Sequence, residues 1–183
     1  MASDAKKKKK KVKTQEDEWK FDESILEGCQ LKKDYPNHFQ PIKSILKAEK
    51  AKGKSSFDVQ KALCLDSIEV ERAKSEGRDQ RSTTDLAIGI TSTNGRANKK
   101  IRLVECKFDV NKNNRKVIED LKDKNKKTRD FYDFGCPIRE YFVVLLNDKF
   151  YQQGRRFIME GFSNSLDCEV LTVNGFYEQY FKY

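Results

Sequence analysis

The chain has 183 residues and a formal net charge of +9, and hydrophobic and charged residues each make up 37% of it. This length predicts one domain with a terminal extension. No stretch approaches the roughly 18 apolar residues of a membrane span, and the N-terminus lacks the apolar core of a secretory signal. We therefore expect a protein with no membrane partner.

The positive charge is concentrated at the N-terminus. Residues 1–13 contain seven lysines and one acid, so they carry +6, and residues 14–183 carry only +3. Residues 1–18 have no apolar periodicity, which predicts a disordered lysine-rich arm in front of a single domain at 19–183. A solubilising tail is as good an interpretation of the arm as a nucleic-acid-binding or localisation patch.

The five cysteines are widely spaced, and His38 is the only histidine. The absence of a Cys-x-x-Cys pair argues against a zinc site, and a single histidine argues against His-based triads. Cysteines without a pairing pattern in a lysine-rich chain predict reduced thiols and a cytoplasmic location. His38 follows a proline turn, which favours a loop residue over a catalytic base.

The first half of the chain predicts helices. Apolar spacing favours a short helix at 21–29, ended by the turn sequence at 35–37. A second short apolar set at 42–46 precedes a basic loop at 47–54. Ser55 and Ser56 are suited to cap a longer helix that runs to Gly77.

The second half alternates strands and helices. Period-two alternation predicts strands at Thr84–Thr91 and Lys100–Phe108, and a continuous apolar run predicts a strand buried on both faces at Glu140–Leu146. A charged helix around 117–132 separates the last two of these strands. A helix, a strand and a helix then follow at 150–163, 169–173 and 176–183. This order predicts an α/β fold with a mixed central β-sheet flanked by helices.

Two acids and a lysine on the first two strands of this second half form the candidate site. Side chains alternate between faces along a strand, so Glu105 and Lys107 point the same way, and Asp85 opens the preceding strand. If Asp85 lies beside Glu105, the two carboxylates repel each other unless a cation lies between them. Mg²⁺ or Mn²⁺ meets that need, because both ions prefer oxygen ligands. Lys107 would then position or deprotonate a metal-bound water, or neutralise charge on a phosphate.

The pattern Thr84-Asp85, a spacer and then Glu105-Cys106-Lys107 resembles the PD-(D/E)xK nuclease superfamily. The resemblance spans roughly residues 55–146 and implies the restriction-endonuclease-like fold. It also implies a metal-dependent endonuclease that hydrolyses DNA phosphodiester bonds, with RNA as another possible substrate. A homodimer is one way for so small a nuclease to cut both strands. Thr84 stands where the family has proline, a departure that we expect to have little consequence.

The resemblance implies further metal ligands as well. One is the Cys106 backbone carbonyl, and another is a glutamate on the helix before the sheet. We assign the latter to Glu69, with Asp66 and Glu71 as alternatives, because the helix phase cannot be fixed from sequence. The family has three strands between its first two helices, whereas two are evident here, so the third is expected within 77–84.

Basic residues flank the motif, and the candidate nucleic-acid contacts are Lys99, Lys100, Lys112 and Arg115. The charged helix after the motif also carries many acids, so a solvated face is an equally good interpretation of its lysines. Two other functions remain open. One is a non-catalytic nucleic-acid- or protein-binding module on the same fold, and the other is a small interaction protein whose acidic pair is structural.

Overall fold

The computed structural model describes residues 18–52, 56–93, 98–108, 115–163 and 167–183. The lysine-rich arm predicted at 1–18 therefore lies outside the described residues except for Glu18. The backbone carbonyl of Glu18 accepts hydrogen bonds from the N–H and the hydroxyl of Thr93, at 2.9 and 3.1 Å. This pairing brings the start of the described chain onto the sheet.

Within these ranges, seven strands form one mixed β-sheet. They are β1 (Trp19–Phe21), β2 (Phe39–Pro41), β3 (Lys61–Cys64), β4 (Leu86–Ser92), β5 (Lys99–Cys106), β6 (Phe142–Leu146) and β7 (Cys168–Thr172). Strands β2 to β7 lie side by side in chain order, and β1 pairs with the far half of β4. Neighbours are antiparallel from β2 to β5 and parallel from β5 to β7. The α/β class and the mixed sheet are confirmed.

Helices cover both faces of the sheet. Those in the described part of the chain are α1 (Glu23–Glu27), α2 (Gln30–Asp34), α3 (Ile42–Ala48), α4 (Leu65–Glu76), α5 (Arg115–Phe131), α6 (Tyr151–Gly161) and α7 (Val173–Tyr180). Helices α3 and α7 contribute to the core on one face, and the other five contribute to the core on the opposite face. No helix among the described residues has the length and apolar character needed to cross a membrane.

Strand alternation divides the buried side chains into two cores. Ala87 and Leu103 face the core beneath α4, α5 and α6, whereas Leu86 and Val104 face the core beneath α3 and α7. Strand β6 is buried on both faces along its whole length, as its continuous apolar run predicted. The faces predicted for β4 and β5 are therefore confirmed, and the acidic positions of both strands lie on the α5 side.

The helix predicted from Ser55 to Gly77 is wrong in its first half. Residues Lys61–Cys64 form β3, which pairs with β2 on one side and β4 on the other, so its backbone groups bond to neighbouring strands. The strand expected within 77–84 is also wrong, because those residues form no strand and β3 lies before α4. Gly77 does end α4, in the left-handed conformation (φ 61°) that glycine tolerates. Strands β1 and β2 have three residues each and are too short to show alternation.

Substitution of Gly89 tests how closely α1 packs on β4. A Cβ at this position would overlap the carbonyl oxygen of Asp22 and lie 2.8 Å from Cβ of Ile25. We predict that Gly89→Ala lowers the free energy of unfolding by roughly 1–3 kcal/mol, as overpacking does, because backbone must move to relieve the overlap. Urea unfolding measures this, with Gly28→Ala as the control, since its nearest neighbour atom would lie at 3.8 Å. Equal losses in the two variants would contradict the prediction.

Candidate active site

The register of β4 and β5 brings Asp85 and Glu105 face to face. Leu86 pairs with Val104, and the next residues outward are the two acids. One carboxylate oxygen of Asp85, Oδ2, accepts a hydrogen bond from the Cys106 N–H at 2.6 Å, which ties the entry of β4 to the end of β5. Asp85 is 5% exposed and Glu105 is 0% exposed. Two carboxylates therefore lie side by side in a buried part of the sheet, and the proximity that the sequence predicted is present.

Two lysines converge on one oxygen of Glu105. Its Oε1 lies 2.9 Å from Lys107 Nζ and 2.8 Å from Lys124 Nζ. The Lys124 ammonium also lies 3.8 Å from Asp85 Oδ1, so it sits between the two carboxylates. Lys107 is held from its other side by Asp120 Oδ2 at 3.0 Å. The second oxygen of Glu105, Oε2, is buried and accepts no hydrogen bond from the described residues.

Helix α5 supplies one of the lysines through a stripe of residues spaced four apart. Asp120, Lys124 and Thr128 share one face of the helix because this spacing is close to a full turn. Thr128 Oγ1 accepts a hydrogen bond from the Thr84 N–H at 2.9 Å, and both residues are buried. That bond fixes α5 to the residue before Asp85 and holds Lys124 against the acids. Sequence reasoning left Lys124 among the charges of a helix face, and the four-residue spacing is the signal that it missed.

Glu49 is a further acid near the site that sequence reasoning missed. It follows the last turn of α3 and is half-buried. Burial raises the pKa of Glu49, and the negative charges of Asp66 and Glu105 raise it further. Lys124 and Lys107 act on its pKa in the opposite direction, so its carboxylate lies within electrostatic range of the whole site. Asp66, one of the alternatives for the helix acid, is exposed in the first turn of α4.

Glu69 belongs to a different cluster. Its Oε1 accepts hydrogen bonds from the Arg78 guanidinium (2.5 Å) and the Arg81 N–H (2.8 Å), and its Oε2 accepts one from the Tyr132 hydroxyl (3.1 Å). Burial opposes ionisation of Glu69, but these hydrogen bonds together lower its pKa. Both oxygens are therefore engaged, Oε1 by the segment that follows α4 and Oε2 by the residue after α5. Glu71, the remaining alternative, pairs with His38 Nε2 at 2.6 Å.

The acids and lysines of the site have opposite pKa behaviour. Burial raises the pKa of Asp85 to about 6. Burial, helped by repulsion from Asp85, raises the pKa of Glu105 to about 7. For Lys107 and Lys124, burial favours the neutral amine, but the neighbouring carboxylates outweigh it and raise the pKa of both. At neutral pH both lysines are ammonium ions, and Glu105 is only partly ionised.

The donor set at this edge suits a hard divalent cation. Asp85 and Glu105 offer carboxylate oxygens on adjacent strands, and the buried Glu105 Oε2 is unsatisfied by the residues described. In proteins Mg²⁺ is commonly held by one or two carboxylates, with waters and substrate phosphate completing its shell. Among the residues that the structure describes, no group of three or more His, Cys, Asp or Glu side chains is arranged to hold a metal ion. The Cys106 side chain packs in the opposite core, as expected, and metal ligation by its carbonyl stays a prediction.

The basic residues expected to contact nucleic acid do not gather at the carboxylates. Lys99 and Lys100 open β5, and six residues of strand place Lys99 about 20 Å from Glu105. The Lys100 ammonium pairs with Glu140 Oε1 at 3.1 Å. Arg115 is exposed at the start of α5, about two and a half turns before Lys124. Lys112 lies outside the described residues.

A cavity of about 330 Å³ lies at the carboxyl end of β6, the edge of the sheet at which β5 also ends. Its polar lining includes Lys52, Ser56, Asn147, Asp148 and Asn174. The Asn147 side chain joins the cavity to the strand that carries the motif, because its Nδ2 donates to the Phe108 carbonyl at 2.9 Å. Its Oδ1 accepts from the Lys52 N–H at 3.0 Å, three residues after Glu49. The cavity wall and the charged site therefore share their supporting backbone.

No protein-family model, curated protein or solved structure matches this chain. Inference about its function therefore depends on the site, which has two buried carboxylates and two ammonium groups bound to one of them.

The raised pKa of Asp85 predicts a pH-dependent stability. The folded chain binds the Asp85 proton more tightly than the unfolded chain does, so this residue makes stability fall as pH rises from about 4 to 6. Asparagine has no such proton. We predict that the unfolding free energy of Asp85→Asn, relative to that of the wild type, increases by roughly 1–3 kcal/mol between pH 4 and 7.5. Urea unfolding in EDTA at the two pH values measures the change.

The control for this measurement is Asp34→Asn, at an exposed position on α2. Its free-energy difference from the wild type should change little with pH. If the unfolding free energy of Asp85→Asn relative to the wild type is equally independent of pH, burial does not perturb the ionisation of Asp85.

Proposed function

We propose that the chain is a metal-dependent endonuclease that hydrolyses phosphodiester bonds in DNA, with the restriction-endonuclease-like fold of the PD-(D/E)xK superfamily. The observation that carries the proposal is the buried pair of Asp85 and Glu105, with Lys107 bound to Glu105 at 2.9 Å. The order of the sheet supports it in part, since the antiparallel pair β4–β5 is followed by a helix and a parallel strand, although α4 separates β3 from β4.

The carboxylates of Asp85 and Glu105 would hold Mg²⁺ or Mn²⁺, with Glu49 near enough to add its charge. When bound, the ion would supply Lewis-acid chemistry, which lowers the pKa of a water molecule and offsets the charge of the phosphate. In the hydrolysis, a water oxygen bonds to phosphorus and the bond from phosphorus to one sugar oxygen breaks. The products are a phosphomonoester and an alcohol, so the atoms of the diester and the water are all accounted for.

Lys107 would act as a cation and not as a base. The Glu105 and Asp120 carboxylates raise its pKa, despite burial, so its Nζ carries three protons at neutral pH. Its side chain is 22% exposed, which leaves the ammonium partly open to solvent. Of the roles considered for Lys107, this favours positioning the attacking water and neutralising phosphate charge over deprotonating the water.

A non-catalytic binding module on the same fold is the second candidate. The observation that favours it is the ammonium of Lys124, which already compensates the charge of both carboxylates without any added cation. Mn²⁺ binding measured by calorimetry separates the candidates. Binding that disappears in Glu105→Gln supports the nuclease, whereas salt-sensitive DNA binding without Mn²⁺ binding supports the module.

We predict Mg²⁺-dependent cleavage of plasmid DNA or of an oligonucleotide. Asp85→Asn, Glu105→Gln and Lys107→Met should each reduce the cleavage rate by roughly 100-fold or more, because the first two weaken the hold on the metal ion and the third removes a cation that offsets phosphate charge. A gel or fluorescence assay with matched protein concentrations measures the rate. Glu71→Gln is the control, since its side chain pairs with His38 away from the carboxylates. The proposal fails if the protein cleaves no DNA or RNA with any divalent ion, or if the three variants cleave at the wild-type rate.

Removal of residues 1–13 tests whether the arm and the site act separately. The deletion takes away a net charge of +6, so non-specific DNA affinity should fall, and the slope of log K against log salt should decrease by up to roughly five. Fluorescence anisotropy at several salt concentrations measures both. Metal-dependent cleavage at saturating DNA should persist, and its loss would mean that residues 1–13 contribute to the active site.

A further inference from the structure

Lys124 occupies the position where the carboxylate pair needs a positive charge. Its Nζ lies 2.8 Å from Glu105 Oε1 and 3.8 Å from Asp85 Oδ1. The side chain is 18% exposed, so the ammonium is largely removed from water and relies on these acids for compensation. The reverse also holds, because two buried carboxylates this close stay ionised only with a cation near them.

The fold imposes this position on Lys124. One turn later, Thr128 is bonded to Thr84 on the sheet and donates its hydroxyl to the Lys124 carbonyl at 2.8 Å. One turn earlier, Asp120 is bonded to Lys107. The backbone of α5 is therefore anchored on both sides of Lys124. Only the flexible four-carbon stem of the lysine is free to move its charge.

The two lysines differ in what would hold them if Glu105 were engaged by another cation. Lys107 would keep its ion pair with Asp120 at 3.0 Å. Within the described part of the chain, Lys124 forms ion pairs with Glu105 and Asp85 alone. A divalent ion would bind these same two acids, so Lys124 is the lysine that would lose its ion-pair partners.

We propose that Lys124 is a displaceable internal counter-ion of the carboxylate pair. In the metal-free protein it fills the cation position, and an entering divalent ion expels its ammonium towards solvent, where it is available to a substrate phosphate. This inference rests on the proposed function, in which Asp85 and Glu105 hold the ion. A divalent ion held by Asp85 and by the unsatisfied Oε2 of Glu105 would lie close to the Lys124 ammonium, which contacts both acids, and the two cations repel each other. Lys124 is thus a positioning residue whose charge competes with the metal.

The experiment compares Mn²⁺ affinity in the wild type and in Lys124→Met, which keeps the aliphatic stem and removes the charge. Titration calorimetry, with electron paramagnetic resonance of free Mn²⁺ as a second method, gives the dissociation constants. We expect Lys124→Met to bind Mn²⁺ roughly 10-fold more tightly, because the ion no longer has to displace an ammonium. Lys126→Met is the matched control, since this neighbouring lysine of α5 is exposed and pairs with Asp130. It should bind Mn²⁺ as the wild type does.

A second readout is NMR of the wild-type protein, and variants are needed only to assign its resonances. In protein with isotope-labelled lysines, the side-chain resonances of Lys124 should shift on titration with Mg²⁺, and those of Lys107 should shift less. Lys124→Gln replaces Lys124→Met if thermal unfolding in EDTA shows that the methionine variant is not folded. The NMR readout does not depend on either substitution.

The outcomes separate this inference from the proposed function. If the wild type binds Mn²⁺ and Lys124→Met binds it equally well or more weakly, the counter-ion proposal is overturned and the nuclease proposal stands. Absence of Mn²⁺ binding by both proteins, together with absence of cleavage, overturns both. If Lys124→Met binds Mn²⁺ and the wild type does not, the counter-ion proposal is supported and a metal-dependent activity of the wild type is contradicted.

Discussion

Two carboxylates buried side by side repel each other, and the organisation of the site follows from this repulsion. Asp85 and Glu105 meet because β4 and β5 are antiparallel and in register. The surrounding contacts limit the repulsion in three ways. A backbone N–H binds Asp85, two ammonium groups bind Glu105, and the raised pKa values of both acids keep part of their charge neutralised by protons. The position of α5 matters for the same reason, because it delivers one of the ammonium groups.

The parts of the site that the sequence predicted are those fixed by strand geometry. Alternation placed Asp85, Ala87 and Gly89 on one face of β4, and the same rule gave Glu105 and Lys107 a common face on β5. Alternation of large apolar residues with small residues on β4, and of apolar with charged residues on β5, was strong enough to define the strands. Once two such strands are neighbours and antiparallel, the proximity of their acidic ends depends on register alone, and the two cores of the sheet permit one register.

The residues that the sequence did not predict depend on how helices pack on the sheet. Lys124 reaches the site because α5 packs over the face of the sheet that carries the acids, and Glu49, after α3, lies within electrostatic range of them. The four-residue spacing of Asp120, Lys124 and Thr128 defines a face of α5, but the sequence alone does not show which strands that face covers. Glu69 was predicted at the site but lies in a different cluster, because Arg78 and Tyr132 bind its carboxylate. Strand β3 was missed for a similar reason. Its apolar residues also match a helical period, and pairing with two neighbouring strands decides the outcome.

The bond between Thr84 and Thr128 bears on a departure from the motif that the sequence resembles. The related motif has proline at the position of Thr84, and proline has no backbone N–H to donate. In this chain that N–H binds Thr128 on α5, and so a proline at position 84 would remove this bond between the sheet and the helix, leaving Thr128 bonded to its own helix through the Lys124 carbonyl. The departure that we expected to have little consequence therefore adds a bond that holds α5, and with it Lys124, against the acids.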